Sequence, residues 1–187
     1  MAPAGAGALL GPDGRGHTVI RPIIKYGEHV LHRQAENVTD MSGGLADLIR
    51  DMIETMYAAP GVGLAAPQVG VPVRVFVVDV SGGRSRDGLL AFINPEFVER
   101  DGMQLEEEGC LSVPGFNATV ARPSRAVVKG LDLDGHERIV EGTGLLARAF
   151  QHEMDHLDGR VFVDRLRGIQ RDLIVRRIRK LTRTGKW

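Results

Sequence analysis

Gln151-His152-Glu153-Met154-Asp155-His156 sets two imidazoles four residues apart, with a carboxylate beside the first. On a helix, residues at i and i+4 lie one above the other. His152 and His156 can then reach one metal ion, with Glu153 standing next to it as a proton carrier. This is the H-E-x-x-H pattern of metal-assisted hydrolysis. Two histidines do not complete such a centre, which generally uses three protein ligands and keeps one position for water. Downstream of His156 there is no histidine and no glutamate, only Asp158, Asp164 and Asp172. The third ligand is therefore one of these aspartates or comes from upstream.

The single cysteine, Cys110, lies upstream in Glu108-Gly109-Cys110-Leu111-Ser112. One cysteine makes no intramolecular disulfide, and a lone cysteine is commonly a small buried apolar group. Gly109 allows close backbone approach, and Glu107 and Glu108 are unusual neighbours for a purely structural thiol. A thiolate with two neutral imidazoles would form a tetrahedral set with one position open. A third segment, Gly61-Val62-Gly63-Leu64-Ala65-Ala66-Pro67-Gln68, is built of small residues that let the backbone pass close to another surface, and ends in an amide that both donates and accepts. Alone it reads as a connection, and it lacks the Gly-Lys-Ser/Thr ending of a phosphate loop.

In this order the three segments resemble the signature motifs of the peptide deformylase family, G-x-G-L-A-A-x-Q, E-G-C-L-S and Q-H-E-x-D-H, at every signature position. The similarity runs over about 23–166. The resemblance implies removal of the formyl group from N-formylmethionine at the start of bacterial-type nascent peptides. It implies Cys110, His152 and His156 as metal ligands with water as the fourth. Glu153 is implied as general base and then acid, with the Gln68 side-chain amide and the Leu111 N–H stabilising the oxyanion. The implied metal is Fe²⁺, with Zn²⁺, Ni²⁺ or Co²⁺ able to replace it, and the thiolate donor suits these softer ions. By the same analogy the peptide lies extended along Val62, Gly63 and Gly109, and the methionine side chain enters a pocket of Val62, Leu145, Ala149 and His152. Arg148 either borders this pocket with its stem or pairs with an acidic neighbour. Beside a metal thiolate Glu108 needs neutralising, and Arg122 is the expected partner.

The elements that must position these groups follow from periodicity. Residues 144–157 contain no proline. Thr143 is placed to cap their start, and Gly159 sits where a left-handed C-terminal cap is common. Leu146, Phe150, Met154 and Leu157 form a core stripe beside a face of Leu145, Ala149, His152, Glu153 and His156. A second helix is expected at 43–59, with Leu45, Leu48, Ile49, Met52 and Met56 on one face. Strands are expected at 74–80, 89–93, 97–99, 120–121, 126–132 and 138–141, with turns at Gly82-Gly83, Asp101-Gly102 and Asp134-Gly135. Consecutive strands with helices at the two ends give an α+β fold, with antiparallel sheets around a buried metal-binding helix and a C-terminal helix. A single catalytic domain over 20–187 is expected, preceded by a flexible Gly- and Ala-rich extension at 1–19.

The 187 residues are 43% hydrophobic, enough for a substantial core. No apolar span is long enough for a membrane, and 1–19 lack the charged start and apolar middle of a secretory signal, so the expected compartment is the cytoplasm. Net charge is zero but uneven: residues 164–187 hold nine Lys/Arg against two Asp. That tail is either a solvated helix docked on the domain or a contact for ribosomal RNA near the nascent-chain exit; DNA is not an expected partner. On the second reading, truncation after Leu166 should spare small-peptide turnover. Two rival functions are a zincin-like endopeptidase, disfavoured by the missing downstream ligand and the Cys110 motif, and a silent metal- or ribosome-binding homologue, disfavoured by intact Glu153 and Gln68.

Overall fold

The computed structural model describes residues 18–85 and 87–187, so most of the extension expected at 1–19 lies outside the described residues. Four helices, α1 (Leu45–Ala58), α2 (Gly144–Leu157), α3 (Phe162–Arg165) and α4 (Gly168–Arg183), combine with seven strands: β1 (Gly63–Ala65), β2 (Val75–Val78), β3 (Leu90–Asp101), β4 (Gln104–Gly109), β5 (Asn117–Arg122), β6 (Arg125–Leu131) and β7 (Glu137–Thr143). All named strand pairs are antiparallel. Five strands run in the order β1-β2-β3-β6-β7, and β4-β5 form a separate hairpin. The expected α+β class, with antiparallel sheets and a C-terminal helix, is what the chain adopts.

The larger sheet is covered on both faces, which is why all four residues of β2 are buried. Val75 and Val77 pack with Leu48, Ile49, Met52 and Met56 of α1. Phe76 and Val78 point the other way, into Phe150, Met154 and Leu157 of α2. Phe76, Phe92 and Phe150 meet with ring centroids 5.2 to 6.2 Å apart. A third cluster joins Ala118 and Val120 of β5 to Phe162 of α3 and to Ile174 and Ile178 of α4. Those two α4 residues are as buried as the core, so truncation after Leu166 would strip part of it, which counts against the expectation that small-peptide turnover is spared.

Several local expectations shift. Thr143 occupies the N-cap position of α2 but its side chain makes no capping bond; the Gly144 amide donates instead to the Ser124 carbonyl at 2.9 Å. The runs 89–93 and 97–99 are one strand, β3, bulged around Asn94 and Pro95. Asn94 takes φ +51 and exchanges two hydrogen bonds with the Val38 main chain, at 2.8 and 2.9 Å. The Gly-rich connection includes the short strand β1, and β4 is a strand the periodicity did not announce. Gly159 does adopt the left-handed conformation, φ +72, just after α2.

Candidate active site

Cys110 follows directly on β4, and His152, Glu153 and His156 project from one side of α2. The Cys110 Sγ, His152 Nε2 and His156 Nε2 atoms converge: Sγ lies 3.3 Å from His156 Nε2, and the two Nε2 atoms are 3.3 Å apart. Donors at bonding distance from one ion in a tetrahedral site would be separated by about 3.3 to 3.6 Å. All three donors lie within 4.8 Å of one another, and the sulfur–imidazole set is that of a borderline-soft divalent ion. The residues present therefore fit a metal.

Burial opposes protonation of His152, but the Cys110 sulfur and the Glu108 carboxylate raise its pKa well above the ordinary value. His156, by contrast, is pushed down by burial and by the neighbouring His152, which favours a neutral imidazole. His152 Nδ1 lies 3.1 Å from Glu108 Oε2, the carboxylate–histidine arrangement that fixes ring orientation behind a metal ligand.

Glu108 is buried and pairs with Arg122 as expected, with Arg122 Nη2 donating to Glu108 Oε2 at 2.9 Å. Burial alone would raise the Glu108 pKa; the hydrogen bonds from Arg122, then from His152, bring it down to about 2. Arg122 reaches this position because it shares the inward face of β5 with Ala118 and Val120. Its Nη1 also donates to Asp155 Oδ2 at 2.9 Å, and Arg165 donates to the same carboxylate. An array therefore runs His152–Glu108–Arg122–Asp155–Arg165, buried at Glu108, Arg122 and Asp155 and reaching the surface at Arg165. Asp155 and Arg165 were not picked out from sequence. The position of Asp155 within the motif was the available signal, and Arg165 carried none.

Glu153 sits against Gly63: a Cβ built on Gly63 would come within 2.3 Å of Glu153 Oε1. The carboxyl is buried, its Oε2 has no hydrogen-bond partner among the described residues, and burial pushes its pKa up to about 7. Gln68 is oriented from behind, since the Ala65 amide donates to its Oε1 at 2.8 Å. Its Nε2 therefore faces the centre, 3.2 Å from Ser112 Oγ and 3.6 Å from Cys110 Sγ. The Leu111 N–H meets no acceptor among the described residues.

A cleft of about 460 Å³ opens onto these groups, lined among others by Val62, Gly63, Gly109, Leu145, Ala149 and His152. Arg148 also borders it. Its guanidinium binds the Glu107 carbonyl at 3.2 Å and Gln104 Oε1 at 3.0 Å rather than a carboxylate, so the pocket-border reading fits better than the ion-pair one. A larger groove of about 590 Å³, lined by Arg160, Arg165, Arg167 and Gln170, lies between β5 and the start of α4 and contains none of the metal-type donors.

An α+β fold that presents two helix-borne imidazoles, a thiol and a buried glutamate at one cleft defines a metal-dependent hydrolase. Comparison with known proteins narrows the class. The polypeptide deformylase family model matches residues 20–172. A peptide deformylase of Acidobacterium capsulatum is 48% identical over 169 residues, covering 90% of this chain and 99% of that protein. One of Thermodesulfovibrio yellowstonii is 51% identical over 154 residues, covering 82% and 93%. The crystal structure of a peptide deformylase from Legionella pneumophila superposes with a TM-score of 0.83 at 42% identity, covering 89% of this chain and 98% of that one. The chain belongs to the polypeptide deformylase family. It is accordingly a metal-dependent hydrolase that removes the formyl group from nascent peptides.

Proposed function

We propose that the chain hydrolyses the formyl amide of N-formylmethionyl nascent peptides to formate and a free α-amine, using Cys110, His152 and His156 to hold one divalent ion. The observation that carries this reading is the convergence of those three donors beside the buried Glu153 carboxyl. Fe²⁺ is the ion that the family resemblance implies, and the sulfur donor suits Fe²⁺, Zn²⁺, Ni²⁺ or Co²⁺ alike. When bound, the ion supplies Lewis acidity that eases ionisation of water and polarises the formyl oxygen.

Glu153 takes the proton of the attacking water and delivers it to the departing amine nitrogen; a pKa near neutrality suits both tasks. The Gln68 amide, aimed by the Ala65 N–H, and the Leu111 N–H, which has no acceptor among the described residues, donate to the oxygen on which negative charge develops. The peptide main chain lies extended along Val62, Gly63 and Gly109, in the manner of strand addition beside β1. Its methionine side chain occupies the apolar cleft of Val62, Leu145, Ala149 and the His152 ring, bordered by Arg148. The small formyl carbon enters where Glu153 and Gly63 leave little room, which excludes acetyl.

Residues 20–187 act as one catalytic domain and 1–19 as an extension to it. The reading is supported by the span of the family match and by the Trp187 indole, whose Nε1 donates to the Tyr26 carbonyl across the chain. Among the described residues no helix is long and apolar enough to cross a membrane, and cytoplasmic action on nascent chains is the setting we propose. Contact with ribosomal RNA through α4 is supported by its exposed basic residues.

Glu153→Ala tests the reaction. The variant should retain one metal per chain and lose turnover by at least about 100-fold. Retained turnover would remove Glu153 as the proton carrier.

A further inference from the structure

The Gln68 and Leu111 donors come from segments far apart in sequence, yet an oxyanion site needs both placed to a fraction of an ångström. The Gln68 side chain reaches Ser112 Oγ directly at 3.2 Å, and a second, main-chain register is set by residues outside all three motifs. The Ile24 amide donates to the Gln68 carbonyl at 2.7 Å, and two residues later the Tyr26 amide donates to the Ser112 carbonyl at 2.8 Å. This short stretch ties the main chain of Gln68 to that of the residue after Leu111, at a spacing set by two peptide units.

Trp187 locks the stretch in place. Its Nε1 donates to the Tyr26 carbonyl at 2.9 Å, and the Lys25 ammonium sits 5.7 Å over its ring. The same ring meets Phe116 edge-on at 6.1 Å. Phe116 lies in the turn that continues from Ser112, where its amide donates to the Val113 carbonyl and the Val113 amide to the Cys110 carbonyl. The contacts close a cycle: Tyr26 to Ser112, along the chain to Phe116, across to Trp187 and back to Tyr26. Trp187 belongs neither to the metal-type donor set nor to the residues that line the cleft.

We propose that Trp187 is a positioning residue for the deformylation step, acting through Tyr26 and Phe116 to fix the Leu111–Ser112 main chain against Gln68. The proposal rests on the reading of Gln68 and the Leu111 N–H as oxyanion donors. Such donors act in the transition state, so loosening them lowers kcat and leaves KM nearly unchanged.

The test compares Trp187→Ala, Trp187→Phe, Gln68→Ala and the Trp187→Ala/Gln68→Ala double variant, as full-length metal-loaded protein, in formate release from an N-formyl-Met tripeptide. Trp187→Ala should lower kcat about tenfold with metal content and KM unchanged. Trp187→Phe, which keeps ring packing but not the indole N–H, should fall between. In the Gln68→Ala background the Trp187→Ala loss should shrink, because both act on the same donors. Amide exchange at Tyr26 and Val113 should accelerate in folded Trp187→Ala. An unchanged kcat, a change confined to KM, full multiplicativity of the two losses, or unaltered exchange at Tyr26 overturns the proposal. If Gln68→Ala alone leaves kcat intact, the oxyanion reading falls and the proposal with it. If Gln68→Ala is impaired but Trp187→Ala is not, only the proposal falls.

Discussion

At position 63 any side chain would compete with the catalytic carboxyl. The space a Cβ would fill is already taken by Glu153, with Oε1, Cδ and Cγ all at or inside 3.0 Å. Gly63 is thus a seat for Glu153, in addition to the substrate-binding role proposed for its main chain. Gly63→Ala should displace the carboxyl while leaving the three metal donors alone. We expect kcat/KM to fall by roughly 10- to 100-fold at full metal content, checked by turnover alongside metal analysis. A Gly63→Ala enzyme of normal activity would contradict the seating role. The imidazole pair was legible in sequence from its helical spacing, whereas the residues alone left the third donor open between a downstream aspartate and Cys110, and the resemblance to the family pointed to Cys110. The partners behind these donors were less legible: Glu108 and Arg122 followed from the need to neutralise a buried charge, whereas Asp155 and Arg165 depend on how α3 packs against α2.

At the scale of elements, the hairpin β4-β5 delivers both Cys110 and the Glu108–Arg122 pair to α2. Its periodicity was hidden because Gln104–Gly109 is almost entirely polar and only Glu108 is buried, so no alternation of apolar residues marks it. β1 was read as a connection because it is only three residues, Gly63-Leu64-Ala65, within a Gly-rich run. The bulge at Asn94 and Pro95 split β3 into two apparent strands, since a proline and a positive φ interrupt the alternation that defines one. The α1 core face matches expectation residue by residue, and the α2 stripe does so with Leu146 partly buried and Ala149 added to the core. Because Glu108 holds the His152 ring through Nδ1, Glu108→Gln should weaken metal retention by roughly 10- to 100-fold, read by competition with a chelator. Retention equal to that of the unaltered chain would show that Glu108 serves the Arg122–Asp155 array alone.

At the scale of the molecule, charge is segregated from chemistry. The active-site cleft lies between α2, β1 and the hairpin, while the basic surface belongs to α4 and its flanks. α4 anchors itself through Ile174 and Ile178 and leaves Arg176 and Lys180 exposed, together with Ile169 and Leu173. Reversing Arg176 and Lys180 to Glu should therefore reduce co-sedimentation with ribosomes, most visibly at low salt, without changing tripeptide turnover. Unaltered co-sedimentation would remove α4 as the contact. The central claim is that this centre hydrolyses a formyl amide and discriminates it from larger acyl groups. Its most direct test is formate release from an N-formyl-Met tripeptide by protein purified anaerobically with Fe²⁺, run beside acetate release from the N-acetyl analogue. Rapid formate release with no acetate release is the predicted result; a fully metallated protein that releases neither, or both alike, would contradict it.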